Sequence, residues 1–299
     1  MLKKLRESPF APWNRVALPL LGFALCLLLP AACPAQETAA VLSKGSGLYF
    51  DTYLAFQKAL GRPVSAFDLS KEKPRLGRDL KAAVAFGSLA AALEYPPKIR
   101  VIYLLAPGYR PKSNGSRFTN ISALPEPAQA LAAYRELQPG LKRLAIFFSK
   151  SAAGAYPAEL AAAAKPLGIE IVEIPLAGPL EFPDKLRDLA GKADAFWLLP
   201  DAVLINRTAL MVLAEFSCSS RMPYYAPSGG LSELGAAAAF APGFTEAATA
   251  AADALEKALA GKPLPEKVYV QRSEMTINEA FIKKCGLPVR LPAAGADKK

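Results

Sequence analysis

Asp201 closes the apolar run Ala195-Phe196-Trp197-Leu198-Leu199 and stands just past Pro200, which cannot continue a strand ladder. A carboxylate beyond the carboxyl end of a buried strand can pair with an ammonium group. It can equally cap the following segment, INRTALMVLAEFSCSSR, which reads as a helix. The same kind of position recurs along the chain, at Ser43, Gly45 and Ser46, at Gly87 and Ser88, at Tyr109 beyond Pro107, at Ser149 and Ser151, and at Ser228 with Gly229. Small hydroxyl and glycine positions of this kind are commonly plain caps and turns. Their convergence on successive strand ends suits the capture of a small zwitterion or polar solute. Gly87-Ser88 and Ser228-Gly229 precede helices, whose free N–H groups favour an anion. Asp201 supplies the opposite charge, and Tyr49 or Tyr109 could cover an apolar part.

The chain holds no histidine. That removes Ser-His-Asp and Cys-His catalysis and the usual zinc sites. There is no Gly-x-Ser-x-Gly elbow and no phosphate-binding Gly-x-x-x-x-Gly-Lys-Ser/Thr, and GSGLYF lacks the third glycine of a dinucleotide loop. The sequence therefore predicts a binding protein and not an enzyme, with no catalytic residues, no metal ligands and no cofactor. Its net charge of +10 is scattered, without a basic run or interleaved aromatics, and so predicts no nucleic-acid partner.

The elements that must position these residues alternate in type. Strand-like TAAVLS (38–43), VSAFDL (64–69), AAVAFG (82–87) and IRVIYLLAP (99–107) come first, with a helix, LYFDTYLAFQKALG, closing at Gly61. Residues 108–127 are rich in Gly, Pro, Ser and Asn and read as a connection. A second series follows: RLAIFFS (143–149), IEIVEIPL (169–176), DAFWLLP (194–200), PYYAP (223–227) and AAAAFAP (236–242). Continuous apolar runs are the habit of parallel strands covered on both faces, so the pattern predicts two successive α/β halves, each with its own sheet. An alanine-rich helix, FTEAATAAADALEKALAGKP, a strand-like KVYVQRS and a last helix ending at NEAFIKKCG are surplus to the second sheet. They predict that the chain crosses back between the halves.

The first residues have a different layout. MLKKLRESPFAPWNR carries Lys3, Lys4, Arg6 and Arg15 against Glu7, and is followed by VALPLLGFALCLLLPAA and small residues at CPAQ. This is the arrangement of a signal peptide over residues 1–35, cleaved after Ala35. Lipidation at Cys33 is the rival. Taking the leader's four basic and one acidic residues from +10 leaves +7. Only Cys218 and Cys285 then remain. Two buried free thiols are expected, although an oxidising compartment permits one bridge.

The succession DAFWLLPD, RMPYYAPSGGLSELGAAAAFAPGFTEAATAAADALEKALAGKPLPE and TINEAFIKKCGLPV resembles the substrate-binding proteins of ABC importers, the family that includes the tryptophan and tyrosine types. Gly235-Ala236, Gly261-Lys262-Pro263, Asn278, Ala280 and Gly286-Leu287 stand at the family's characteristic places. The resemblance implies a type I periplasmic binding protein: α/β, two Rossmann-like lobes with parallel sheets joined by three crossovers. Lobe 1 would take residues 36–121 with 243–263 returning to it, lobe 2 residues 122–242 with 264–290, and 291–299 would form a flexible tail. The implied function is the periplasmic solute-binding component of an ABC importer, a monomer that delivers a small polar or amino-acid-like solute to an inner-membrane permease. A periplasmic sensor that signals to a membrane receptor would use the same fold and cleft. Two departures, Leu199-Pro200-Asp201 before Ala202-Val203-Leu204, and Thr119-Asn120-Ile121 where the family has Thr-Gly, bear on an aromatic amino-acid ligand and not on the fold.

Overall fold

The computed structural model describes residues 37–111 and 117–291, without the side chains of residues 150 and 151. The expected signal peptide, Cys33 and nearly all of the expected 291–299 tail lie outside the described residues. The first sheet takes β1 (Thr38–Leu42), β2 (Ala66–Asp68), β3 (Ala82–Phe86), β4 (Arg100–Leu104), β5 (Phe118–Ile121) and β11 (Lys267–Val268) in the order β11-β5-β4-β3-β1-β2. All its pairings are parallel. β1 (TAAVL) and β3 (AAVAF) are buried along their whole length, because both faces of the sheet are covered.

One face receives α1 (Leu48–Leu60) and α9 (Phe244–Leu259). Helix α1 stops where Gly61 adopts a left-handed conformation, φ 70°, and its N–H returns to the carbonyl oxygens of Gln57 and Lys58. The buried face of α9 is Ala247, Ala248, Ala251, Ala252, Ala254 and Leu255, side chains short enough for its backbone to lie close to α1 and the sheet. The opposite face is closed by Tyr95, Tyr103, Ala106 and Phe118, with α2 (Ser88–Ala91) beside them.

The second sheet has the order β12-β10-β9-β8-β6-β7, from β6 (Arg143–Ser149), β7 (Glu170–Leu176), β8 (Ala195–Leu198), β9 (Tyr224–Ala226), β10 (Ala238–Pro242) and β12 (Ser273–Ile277). Only β12 runs antiparallel to its neighbour. Strand β8 shows how the sequence divides the core. Trp197 points to one face, edge-on to Tyr134 of α3 (Pro127–Leu137) at 5.2 Å. Phe196 points to the other, stacked on Tyr224 at 5.1 Å and packed with Phe182 of α6 (Phe182–Leu189) and Leu213 of α7 (Arg207–Ser220). The remaining helices are α4 (Lys150–Ala153), α5 (Tyr156–Ala164), α8 (Gly229–Ser232) and α10 (Glu279–Cys285).

Three connections join the lobes, from β5 to α3, from β10 to α9, and from β11 to β12. The alanine-rich α9 packs on α1 and the first sheet. Two details differ from the sequence reading. The stretch 108–127, read as a connection, contains β5, whose four residues FTNI are too short and too polar to show a period and are held as a strand by β4 and β11 on either side. The strand-like KVYVQRS divides: Lys267–Val268 pair with β5 in the first sheet, although 264–290 was given to the second lobe, and only from Ser273 does the chain enter the second sheet.

The two free thiols are also corrected. Cys218 on α7 and Cys285 on α10 are joined by a disulfide, with their Cα atoms 4.7 Å apart. Among the described residues no helix is long and apolar enough to cross a membrane, and no group of three or more Cys, Asp or Glu could hold a metal ion.

Candidate functional site

The carboxyl ends of the two sheets approach each other. The loop after β4 meets the segment after β6: a Cβ on Gly108 would stand 2.8 Å from the Ala152 Cβ, and the Arg110 guanidinium lies so close over Gly154 that a side chain there would collide with it. Between the lobes is a cavity of about 470 Å³. The first lobe lines it with Tyr103, Tyr109, Arg110, Asn120 and Lys267, and the second with Tyr156 and Glu159 of α5 and Pro200 after β8. A larger hollow of about 820 Å³ lies elsewhere, between one face of α9 and residues 262–272, and takes no residue from the second sheet's strand ends.

Of the residues the sequence put forward, Tyr109 lines the interlobe cavity. Its ring meets Tyr103 edge-on at 5.3 Å. The others stand at the carboxyl edges, mostly in structural roles. The Ser43 Oγ accepts from the Ala90 N–H at 3.0 Å and so holds the short α2. Gly87 (φ 96°) packs against Ser43: a Cβ there would come within 2.5 Å of the Ser43 Oγ. That close approach requires glycine. Gly45 lies against the Asp68 carboxylate, Ser46 is exposed and Ser88 is half-buried. Ser228 is half-buried at the start of α8, and Gly229 faces Thr276, whose Oγ1 would be 2.6 Å from a Cβ. Ser151 falls on α4, and its side chain lies outside the described residues.

Asp201 also has a structural role. It is 1% exposed, and its carboxylate is engaged by the backbone. One oxygen accepts from the Ser149 N–H at 3.0 Å, and the other from Val203 at 2.8 Å and Leu204 at 3.4 Å. It is the cap that ties the end of β6 to the turn after β8, and it does not line the cavity. Of the two readings left open by the sequence, these contacts support the cap.

The charged groups that do line the cavity were not among the positions the sequence put forward. Lys267 donates to both Glu159 oxygens at 2.7 and 2.8 Å and to the Tyr269 hydroxyl at 2.8 Å, with its ammonium 4.6 Å from the Tyr269 ring centre. Tyr269 in turn donates to Glu159. Burial pushes the Glu159 carboxyl up, but these hydrogen bonds and the Lys267 charge outweigh it, so Glu159 titrates below its ordinary value. Burial pushes the Tyr103 hydroxyl up to about 12, helped by Tyr109 and opposed by Arg110. It is therefore neutral at physiological pH and able both to donate and to accept. Neither Tyr103 nor Lys267 was legible as a site residue, because their convergence depends on the register of β4, β5 and β11.

The architecture and the sequence can be set beside known proteins. Three solved structures share the fold. They are a conserved domain protein from Vibrio cholerae (16% identity, TM-score 0.58, covering 86% of this chain and 96% of that one), an ABC domain in complex with L-Trp from Streptococcus pneumoniae (16%, 0.59, 85% and 96%), and a ligand-free, open substrate-binding protein with adhesive properties from Clostridium difficile (14%, 0.60, 87% and 97%). The fold is that of type I periplasmic binding proteins. No curated protein sequence matches the chain. Residues 111–290, more than half of the chain, match the family described as ABC transporter substrate binding protein, a match that spans all three crossovers. The chain belongs to the ABC transporter substrate-binding protein family.

Proposed function

We propose that this chain is the periplasmic solute-binding component of an ABC importer, capturing a small polar or amino-acid-like solute between its lobes and presenting it to an inner-membrane permease. The observation that carries the reading is the cavity of about 470 Å³ walled by both lobes, within the usual size of a small-molecule site. Its lining combines aromatic faces, Tyr103, Tyr109 and Tyr156, with hydrogen-bonding and charged groups of both signs. The Streptococcus pneumoniae domain of the same fold holds L-Trp, which supports an amino-acid-like solute. The basic and apolar leader supports export, and the disulfide suits an oxidising compartment. The test is titration calorimetry of the mature protein against the common L-amino acids and small polar metabolites. Saturable binding of one solute per chain is expected. If no member of the panel binds, solute capture is the wrong reading.

A further inference from the structure

Tyr103 and Asn120 are registered neighbours on β4 and β5, and Lys267 on β11 is the next in the same row. Side chains paired laterally across parallel strands project from the same face. All three line the interlobe cavity. The Lys267 ammonium is taken up by Glu159 and Tyr269. The other two differ: among the described residues neither the Tyr103 hydroxyl nor the Asn120 carboxamide has a hydrogen-bond partner, although Tyr103 is only 5% exposed and Asn120 is half-buried. Both groups front the cavity, where a solute can take the place of solvent on them. The Tyr103 ring meets Tyr109 edge-on in the cavity wall.

We propose that Tyr103 and Asn120 form the polar floor that binds the carboxylate of the captured solute. A phenol O–H beside a carboxamide N–H offers two donors on one face, which matches the two oxygens of a carboxylate. The neutral state of Tyr103 keeps its proton available at physiological pH. Arg110, lining the same cavity and reaching across to Gly154, adds positive charge at this end. Tyr103 and Asn120 are then the residues that select for an acid over its amide. This rests on the solute-binding reading above and deepens it.

The test compares each common L-amino acid with its α-carboxamide by calorimetry on the wild type, Tyr103→Phe and Asn120→Ala, with scanning calorimetry to confirm that each variant is folded. The expected result is one acid that binds the wild type, an amide that binds about tenfold or more weaker, and a similar loss for the acid on each variant. The amide should lose much less than the acid does on passing from wild type to variant. An acid and amide bound alike by the wild type overturn the proposal while leaving solute capture intact, and this comparison needs no variant. So does an acid bound alike by wild type and both folded variants. Failure of every acid and amide to bind the wild type overturns both readings together.

Discussion

The carboxylate of Asp201 accepts hydrogen bonds from two separate segments, the end of β6 through Ser149 and the turn after β8 through Val203 and Leu204. Removing it strands buried N–H groups, each at a cost of about 1–3 kcal/mol. Asp201→Ala is therefore expected to lower unfolding stability by about 2–4 kcal/mol. Asp201→Asn keeps one accepting oxygen but turns an amide N–H₂ towards one of the donors, so it should lose about half as much. Denaturant unfolding measures both. Solute affinity of the folded protein should be unchanged in either, and a selective loss of affinity in Asp201→Asn would return Asp201 to the site. A second residue-scale expectation concerns Glu159. Because its folded pKa lies below its unfolded one, its contribution to stability is complete above the unfolded value and is lost as pH falls through the folded value. Stability should thus fall on acidification below about pH 5, with a shallower slope in Glu159→Gln. With its side chain 36% exposed, solvent screening keeps the effect under about 1 kcal/mol, and equal slopes for both proteins would remove the pair from the acid response.

The disulfide between α7 and α10 belongs to the element scale. It spans 67 residues of sequence and fixes the last helix of the second lobe to that lobe's outer layer. On the chain-entropy account, closing a loop of that length stabilises by about 4 kcal/mol. Cys218→Ser with Cys285→Ser, or reduction of the wild type, should lower the denaturation midpoint by the equivalent of about 2–5 kcal/mol. An unchanged midpoint after complete reduction would show that α10 is held by packing alone. The same scale shows what the sequence could and could not disclose. β1, β3, β6 and β8 were readable because long apolar runs between turn residues have few alternatives. The helix α9 was readable because its alanine-rich run closes on Gly261 and Pro263. β5 was not, because four residues carry no period and become a strand only through their neighbours, and β11 was readable only as part of a longer strand-like run that divides between the sheets. The cavity residues Tyr103, Asn120 and Lys267 were hidden because they come together only when β4, β5 and β11 align. Asp201 was found as a special position, but its use depended on which N–H groups lay within reach.

At the scale of the whole molecule, the two lobes are joined by three thin crossovers and meet across the cavity mainly through side chains, with Arg110 over Gly154 and Lys267 on Glu159. Few covalent connections and a cavity walled by both sides favour relative motion of the lobes. A solute that touches both lobes binds the closed arrangement more tightly than the open one, and only that difference in affinity can shift the balance; moving it from about 1:99 to 99:1 needs about a 10⁴-fold preference. Small-angle scattering of the mature protein should therefore show a smaller radius of gyration at saturation with the solute identified by calorimetry. Glu159→Gln removes the ion pair with Lys267 and so weakens one contact between the lobes; its unliganded form should be the more expanded of the two proteins, while its liganded form should match the wild type. A profile that is unchanged by saturating solute in both proteins would mean that the cavity fills without closure, and the lobes would then act as a fixed frame.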